Sequence, residues 1–133
     1  MNKKYYFDAD CLSSFLAVSK LSIPFLVIDG SVIIPKEVYD EVIAAREEGF
    51  REQLESILKS KLAKVEEIKV FSKEGELYFK FHENPDEGFL PVGRGEAAAM
   101  ALAISNDGVL VSNNLKEDFV LNSVEMLIRH HKI

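Results

Sequence analysis

Four short stretches of the chain set carboxylates at the edges of apolar elements. These are Asp8 and Asp10 in YYFDADCL, Glu41 in IIPKEVYDEV, Glu96 in GRGEAAAMALA, and Glu117 with Asp118 in VLVSNNLKEDF. A carboxylate pressed against apolar surroundings loses hydration and is costly without a partner. Oxygen-rich sets of this kind suit hard divalent cations such as Mg²⁺ and Mn²⁺, which also accept water and phosphate oxygens. The chemistry such a set supports is metal-dependent hydrolysis of a phosphodiester.

Each acid also has a plainer role. Asp8 closes an apolar strand, where capping of the next helix competes with ligation; a charge at the end of a hydrophobic strand favours ligation. Asp10 is at least as well suited to cap as to ligate. On the helix opened by Pro35, the residues Val38, Val42 and Ala45 form an apolar stripe with Glu41 at its border, while Asp40 points further away. Taken alone, Glu41 reads as an exposed helix acid. Glu37, one turn earlier, either supports the site or is solvated. Glu96 falls in the first turn of its helix, where the dipole favours an anion whatever its function. Arg94 either meets a substrate phosphate or balances Glu96. Ser112 and Asn114, just past a strand, either orient water or cap the next helix, and Glu117 or Asp118 can reach back from that helix's first turn. His82, His130 and His131 have no ligand or triad spacing.

The elements that must position these groups alternate in type. Strands are predicted at Tyr5 to Asp8, Ser31 to Ile34, Val65 to Val70 and Val109 to Val111. Helices are predicted from Asp10 to about Lys20, from about Pro35 to Glu48 with Gly49 as terminator, and from about Phe50 to Lys61. Two more run from Arg94 to Ser105 and from Leu115 to about Ile128. This alternation predicts an α/β fold, a three-layer α/β/α sandwich around a mostly parallel central sheet. Sites in such sheets form at the carboxyl ends of the strands. Between Ser72 and Gly95, glycine, proline and the aromatic run Leu77, Tyr78, Phe79 and Phe81 predict an inserted arm or hairpin at about 72–95. Leu77 to Phe81 would be extended there, packing on the core or on a second subunit.

At 133 residues and 47% hydrophobic content, one domain covering 1–133 is expected. The net charge of -6 argues against binding nucleic acid by broad phosphate neutralisation but leaves a nuclease open, since bound cations reverse the local field. No apolar run suffices to span a bilayer and the N-terminus lacks a secretory pattern, which together predict a cytoplasmic protein without membrane contact. The single cysteine, Cys11, excludes an internal disulfide and reads as a small buried hydrophobe.

In order, these segments resemble the PIN-domain family of nucleases. YYFDADCL is similar to its first motif, an Asp after the first strand; IIPKEVYDEV to the second, a Glu in the helix after a Pro; GRGEAAAMALA to the third; and VLVSNNLKEDF to the fourth. The resemblance implies that Asp8, Glu41, Glu96 and an acid at 117 or 118 are catalytic. Asp8, Glu96 and Asp118 would be the metal ligands for Mg²⁺ or Mn²⁺, Asp10, Ser112 and Asn114 supporting residues, and Arg94 a substrate contact. It implies an endoribonuclease acting on single-stranded RNA, either the toxin of a toxin–antitoxin pair with an antitoxin protein as partner, or an RNA-processing enzyme. The aromatic segment adds an expected homodimer. Two alternatives stand beside it. One is a PIN-like binding module without efficient chemistry. The other is a haloacid-dehalogenase-like phosphatase, suggested by Asp8-x-Asp10 but disfavoured by Leu12 and Asn113-Asn114 where that class needs a hydroxyl and acids.

Overall fold

Strands rich in Tyr, Phe, Val and Ile at consecutive positions need cover on both faces, and that is how the chain uses them. The computed structural model describes residues 3–18, 30–85, 87, 88 and 90–112, without the side chains of Phe15 and Val18. Along the chain these form β1 (Lys3–Phe7), α1 (Ala9–Val18), β2 (Gly30–Pro35), α2 (Lys36–Ala44), α3 (Phe50–Lys59) and β3 (Ala63–Glu66). Then come α4 (Lys73–His82), α5 (Arg94–Ser105) and β4 (Val109–Val111). The four strands make one all-parallel sheet in the order β3-β2-β1-β4. This is the expected α/β architecture.

Side chains alternate across the sheet and so divide between two layers. Phe7, Val32 and Ile34 face one way, joining Leu12 and Leu16 of α1, Val38 and Val42 of α2, and Leu54 and Ile57 of α3. Tyr6 and Ile33 face the other way, against Ala99, Leu102 and Ala103 of α5. The run of small residues lets α5 lie close to the sheet, and every residue from Ala97 to Ile104 is buried. Its remaining face takes Leu77 and Phe81 of α4. Both ends of α5 are therefore fixed by the core, and its N-terminus is held where the strands end.

Three predicted elements differ from the structure in type or by more than two residues at one end. Residues 77–81, expected as extended, lie in α4. Ser72 caps this helix by accepting a hydrogen bond from Gly75 N–H, and Leu77 and Phe81 meet the core at an i,i+4 spacing. β3 lies at 63–66 and not at 65–70, because its one partner, β2, ends at Pro35 opposite Glu66 and proline offers no N–H to continue a ladder. α2 stops at Ala44, four residues short of Glu48. Arg46 takes φ 54° just beyond it, residues 45–49 are exposed, and Gly49 opens α3 where it had been expected to close α2. The predicted helix from Leu115 to Ile128 lies outside the described residues. Among the described residues no helix is long and apolar enough to cross a membrane.

Candidate functional site

Asp8 follows the last residue of β1, at the centre of the sheet. Its backbone N–H donates to Val111 O at 3.1 Å, extending the ladder to β4. The side chain is buried, 3% exposed. Its Oδ1 accepts a hydrogen bond from Cys11 N–H at 2.8 Å, and Oδ2 accepts one from the Ser112 hydroxyl at 2.5 Å. Asp8 thus caps α1, the role open to Asp10 in the sequence, and Ser112 spends its hydroxyl on Asp8. Burial pushes the Asp8 pKa up; Ser112 and Cys11 offset this by favouring the charged form, and the charge of Asp10 adds to the rise. An acid in this state gains from a nearby cation.

Glu41 projects from α2 to the N-terminus of α5. Its Oε1 accepts the Gly95 N–H at 2.7 Å, one of the donors that a helix start leaves unpaired. The approach requires a glycine: a Cβ at position 95 would stand 2.7 Å from Oε1 and 3.0 Å from Cδ of Glu41. Glu96, the next residue, is half-buried. Asp8, Ala9, Asp10, Glu41, Gly93 and Glu96 line a single cleft of about 120 Å³. Four carboxylates from three separate chain segments are thus brought to one hollow, at the carboxyl end of β1.

Asp40, by contrast, is turned away and paired with Lys36, an exposed i,i+4 contact that contributes little. Arg94 is exposed at the start of α5 with its guanidinium at Tyr78. The hydrogen bond that the guanidinium donates to the Tyr78 phenol oxygen raises the Arg94 pKa, helped by the charges of Glu37 and Asp40. Asn114, Glu117 and Asp118 lie outside the described residues. Two groups in this neighbourhood were not picked out from the sequence, Gly95 as the seat of Glu41 and Tyr78 as the partner of Arg94. The first had a signal, a glycine in a helix's first turn directly before an acid.

The donor set consists of oxygens alone, which suits Mg²⁺ or Mn²⁺ and not zinc or iron–sulfur groups. Among the described residues no three acids are already drawn together as a ligand cluster; Asp8 is held by its two donors and Glu41 by Gly95. The set fits a hard cation by chemistry and by the burial of Asp8, which its two hydrogen bonds offset only in part. The first three motifs all contribute to the cleft, and the first strand, α2 and α5 are the elements that carry them.

A family model described as a PIN domain matches residues 4–117, most of the chain. No curated protein matches it.

Proposed function

Because the chain belongs to the PIN-domain family, whose members are generally nucleases that use divalent metals, we propose that it is a Mg²⁺- or Mn²⁺-dependent ribonuclease cutting single-stranded RNA. The observation that carries this reading is the convergence of Asp8, Asp10, Glu41 and Glu96 on one cleft. Asp8, Glu41 and Glu96 would hold the ion, with Asp118 or Glu117 completing the set, and Asn114 supporting it. The chemistry such an ion supplies is neutralisation of phosphate charge and acidification of water.

The protein's own groups divide the remaining work. Cys11 N–H and Ser112 hold both oxygens of Asp8 in a fixed plane, which keeps the carboxylate oriented before substrate arrives. Gly95 N–H holds one oxygen of Glu41 and so directs the other. Arg94, exposed and next in sequence to Gly93 of the cleft wall, would serve as a cation for the incoming phosphate, since a guanidinium pairs with phosphate oxygens in a forked geometry. An unpaired strand reaches a hollow of this size more readily than a duplex does.

The test is cleavage of a labelled single-stranded RNA in Mn²⁺ by wild type, Asp8→Asn and Glu96→Gln. Cleavage that both substitutions abolish is expected; cleavage that survives both would remove these acids from the reaction. A toxin role adds a small protein partner covering the cleft, and a processing role a larger RNA.

A further inference from the structure

Beside the acidic cleft lies a second concavity of about 440 Å³, with Glu37, Ile68, Val70, Glu76, Tyr78 and Phe79 in its walls. Two links join it to the cleft. Glu37 stands one turn before Glu41 on α2, about 6 Å along the helix axis. Arg94 follows Gly93 of the cleft wall and is hydrogen bonded to Tyr78 of the groove.

The groove combines an apolar floor, two aromatic rings and two carboxylates, Glu37 and Glu76. Phe79 is 52% exposed and Val70 75% exposed. Tyr78 is backed by the His82 ring, 5.7 Å between centroids and 25° from parallel. His82 Nδ1 in turn sits 2.9 Å from Val92 O, which fixes the pair. Glu37 Oε1 is closed off from solvent and has no hydrogen-bond donor. A buried acceptor in that condition is uncommon and calls for an explanation.

We propose that this groove binds the guanine base of the nucleotide next to the scissile phosphodiester, an assignment that rests on the nuclease reading for its substrate class. An ionised carboxylate accepts hydrogen bonds and donates none. Guanine alone among the four RNA bases offers two adjacent N–H donors on its pairing edge, N1–H and the N2 amino group. Adenine and cytosine set a ring-nitrogen acceptor beside their amino group, and uracil flanks its N3–H with two carbonyls. Each of those three turns a lone pair toward Glu37. Rotation about the last bond of the glutamate side chain is broadly permitted and turns Oε1 into the groove. Tyr78 and Phe79 supply faces on which the base stacks, the mode by which unpaired RNA bases are held while their edges are read. Arg94, at the junction, meets the phosphate between groove and cleft.

The experiment is fluorescence anisotropy in EDTA with wild-type protein and labelled single-stranded oligouridines carrying one guanosine, inosine, adenosine or cytidine. Guanosine should bind about tenfold or more tightly than adenosine, cytidine or uridine, the scale of a good paired contact to a base edge. Inosine, which lacks the N2 amino group, should lose most of that advantage. Glu37→Gln should bring guanosine and inosine to near equality while melting as wild type does, and Tyr78→Ala should weaken all the oligonucleotides together. Equal affinity for every base, a guanosine preference that survives Glu37→Gln, or no binding at all would overturn the assignment. Cleavage in Mn²⁺ is measured separately. Its absence beside an intact guanosine preference would remove the nuclease reading and leave the groove's selectivity standing.

Discussion

Replacing Gly95 with alanine separates the position of Glu41 from its presence. The new methyl would stand 2.7 Å from Glu41 Oε1, 3.0 Å from Cδ and 3.2 Å from Oε2, whereas unstrained contacts lie near 3.5 to 4.0 Å. The carboxylate must therefore retreat by roughly 1 Å. It is the end of a flexible side chain, so α5 and the sheet need not move with it. Alanine is favoured over glycine inside a helix by about 1 kcal/mol. The lost hydrogen bond to a charged acceptor removes about 1.5 to 3 kcal/mol. The difference is a net destabilisation of about 0.5 to 2 kcal/mol, so the melting temperature should stay within about 10 °C of wild type. Catalysis should suffer far more, because misplacing a positioned group by about 1 Å costs on the order of 100-fold in rate. The assay is kcat and KM for Mn²⁺-dependent cleavage, run beside thermal melting. In a Glu41→Gln background Gly95→Ala should add little, since both changes act through one carboxylate. Full activity in Gly95→Ala, or losses that multiply independently in the double variant, would refute the assignment of Gly95 as the seat of Glu41.

Asp8→Asn should keep the cap on α1 and remove a buried charge. Because burial raises the Asp8 pKa above its ordinary 3.8, the folded protein binds that proton more tightly than the unfolded chain. Stability on this account is complete below pH 3.8 and falls as pH rises through the raised value. Metal-free Asp8→Asn should therefore melt higher than wild type at pH 7 and converge with it in acid; a lower melting temperature at pH 7 would contradict this sign. Mn²⁺ at about 100 times its dissociation constant should stabilise wild type by about 2.7 kcal/mol in calorimetry, and neither Asp8→Asn nor Glu96→Gln should respond. The Cys11 thiol is buried and its pKa pushed up to about 11, so iodoacetamide at pH 8 should label it only after unfolding, as read by mass spectrometry. Gly108→Ala would place a Cβ 2.6 Å from Tyr6 Cε2 and 2.8 Å from Lys4 O; it should cost about 1 to 3 kcal/mol in denaturant melts, because neither the backbone nor the buried ring can give way easily.

The sequence made the strand–helix alternation legible wherever composition and spacing agreed. β1, α5 and β4 stand almost where their apolar runs predict them. α4 was missed because its glycine and aromatics outweighed quieter signals: Ser72 as cap, Glu74 and Glu76 in the first turn, and Lys80 and His82 in the last. β3 was misplaced because Ile68 and Val70 prolong an apolar run past the point where Pro35 leaves it no partner. At the site, the ordered acids pointed to Asp8, Asp10, Glu41 and Glu96, which share one cleft. The contact between Glu41 and Gly95 joins residues 54 positions apart, and no local pattern encodes such a pairing. Asp8 shows that capping and lining the cleft are not alternatives, since a carboxylate has enough lone pairs for both.

The most direct test of a shared cation site is the anomalous scattering of a Mn²⁺-soaked crystal. A Mn²⁺ peak in the hollow, within coordination distance of carboxylate oxygens from Asp8 and Glu96, is the expected result. A peak elsewhere, or none at saturating Mn²⁺ with the acids still lining the cleft, would contradict the account.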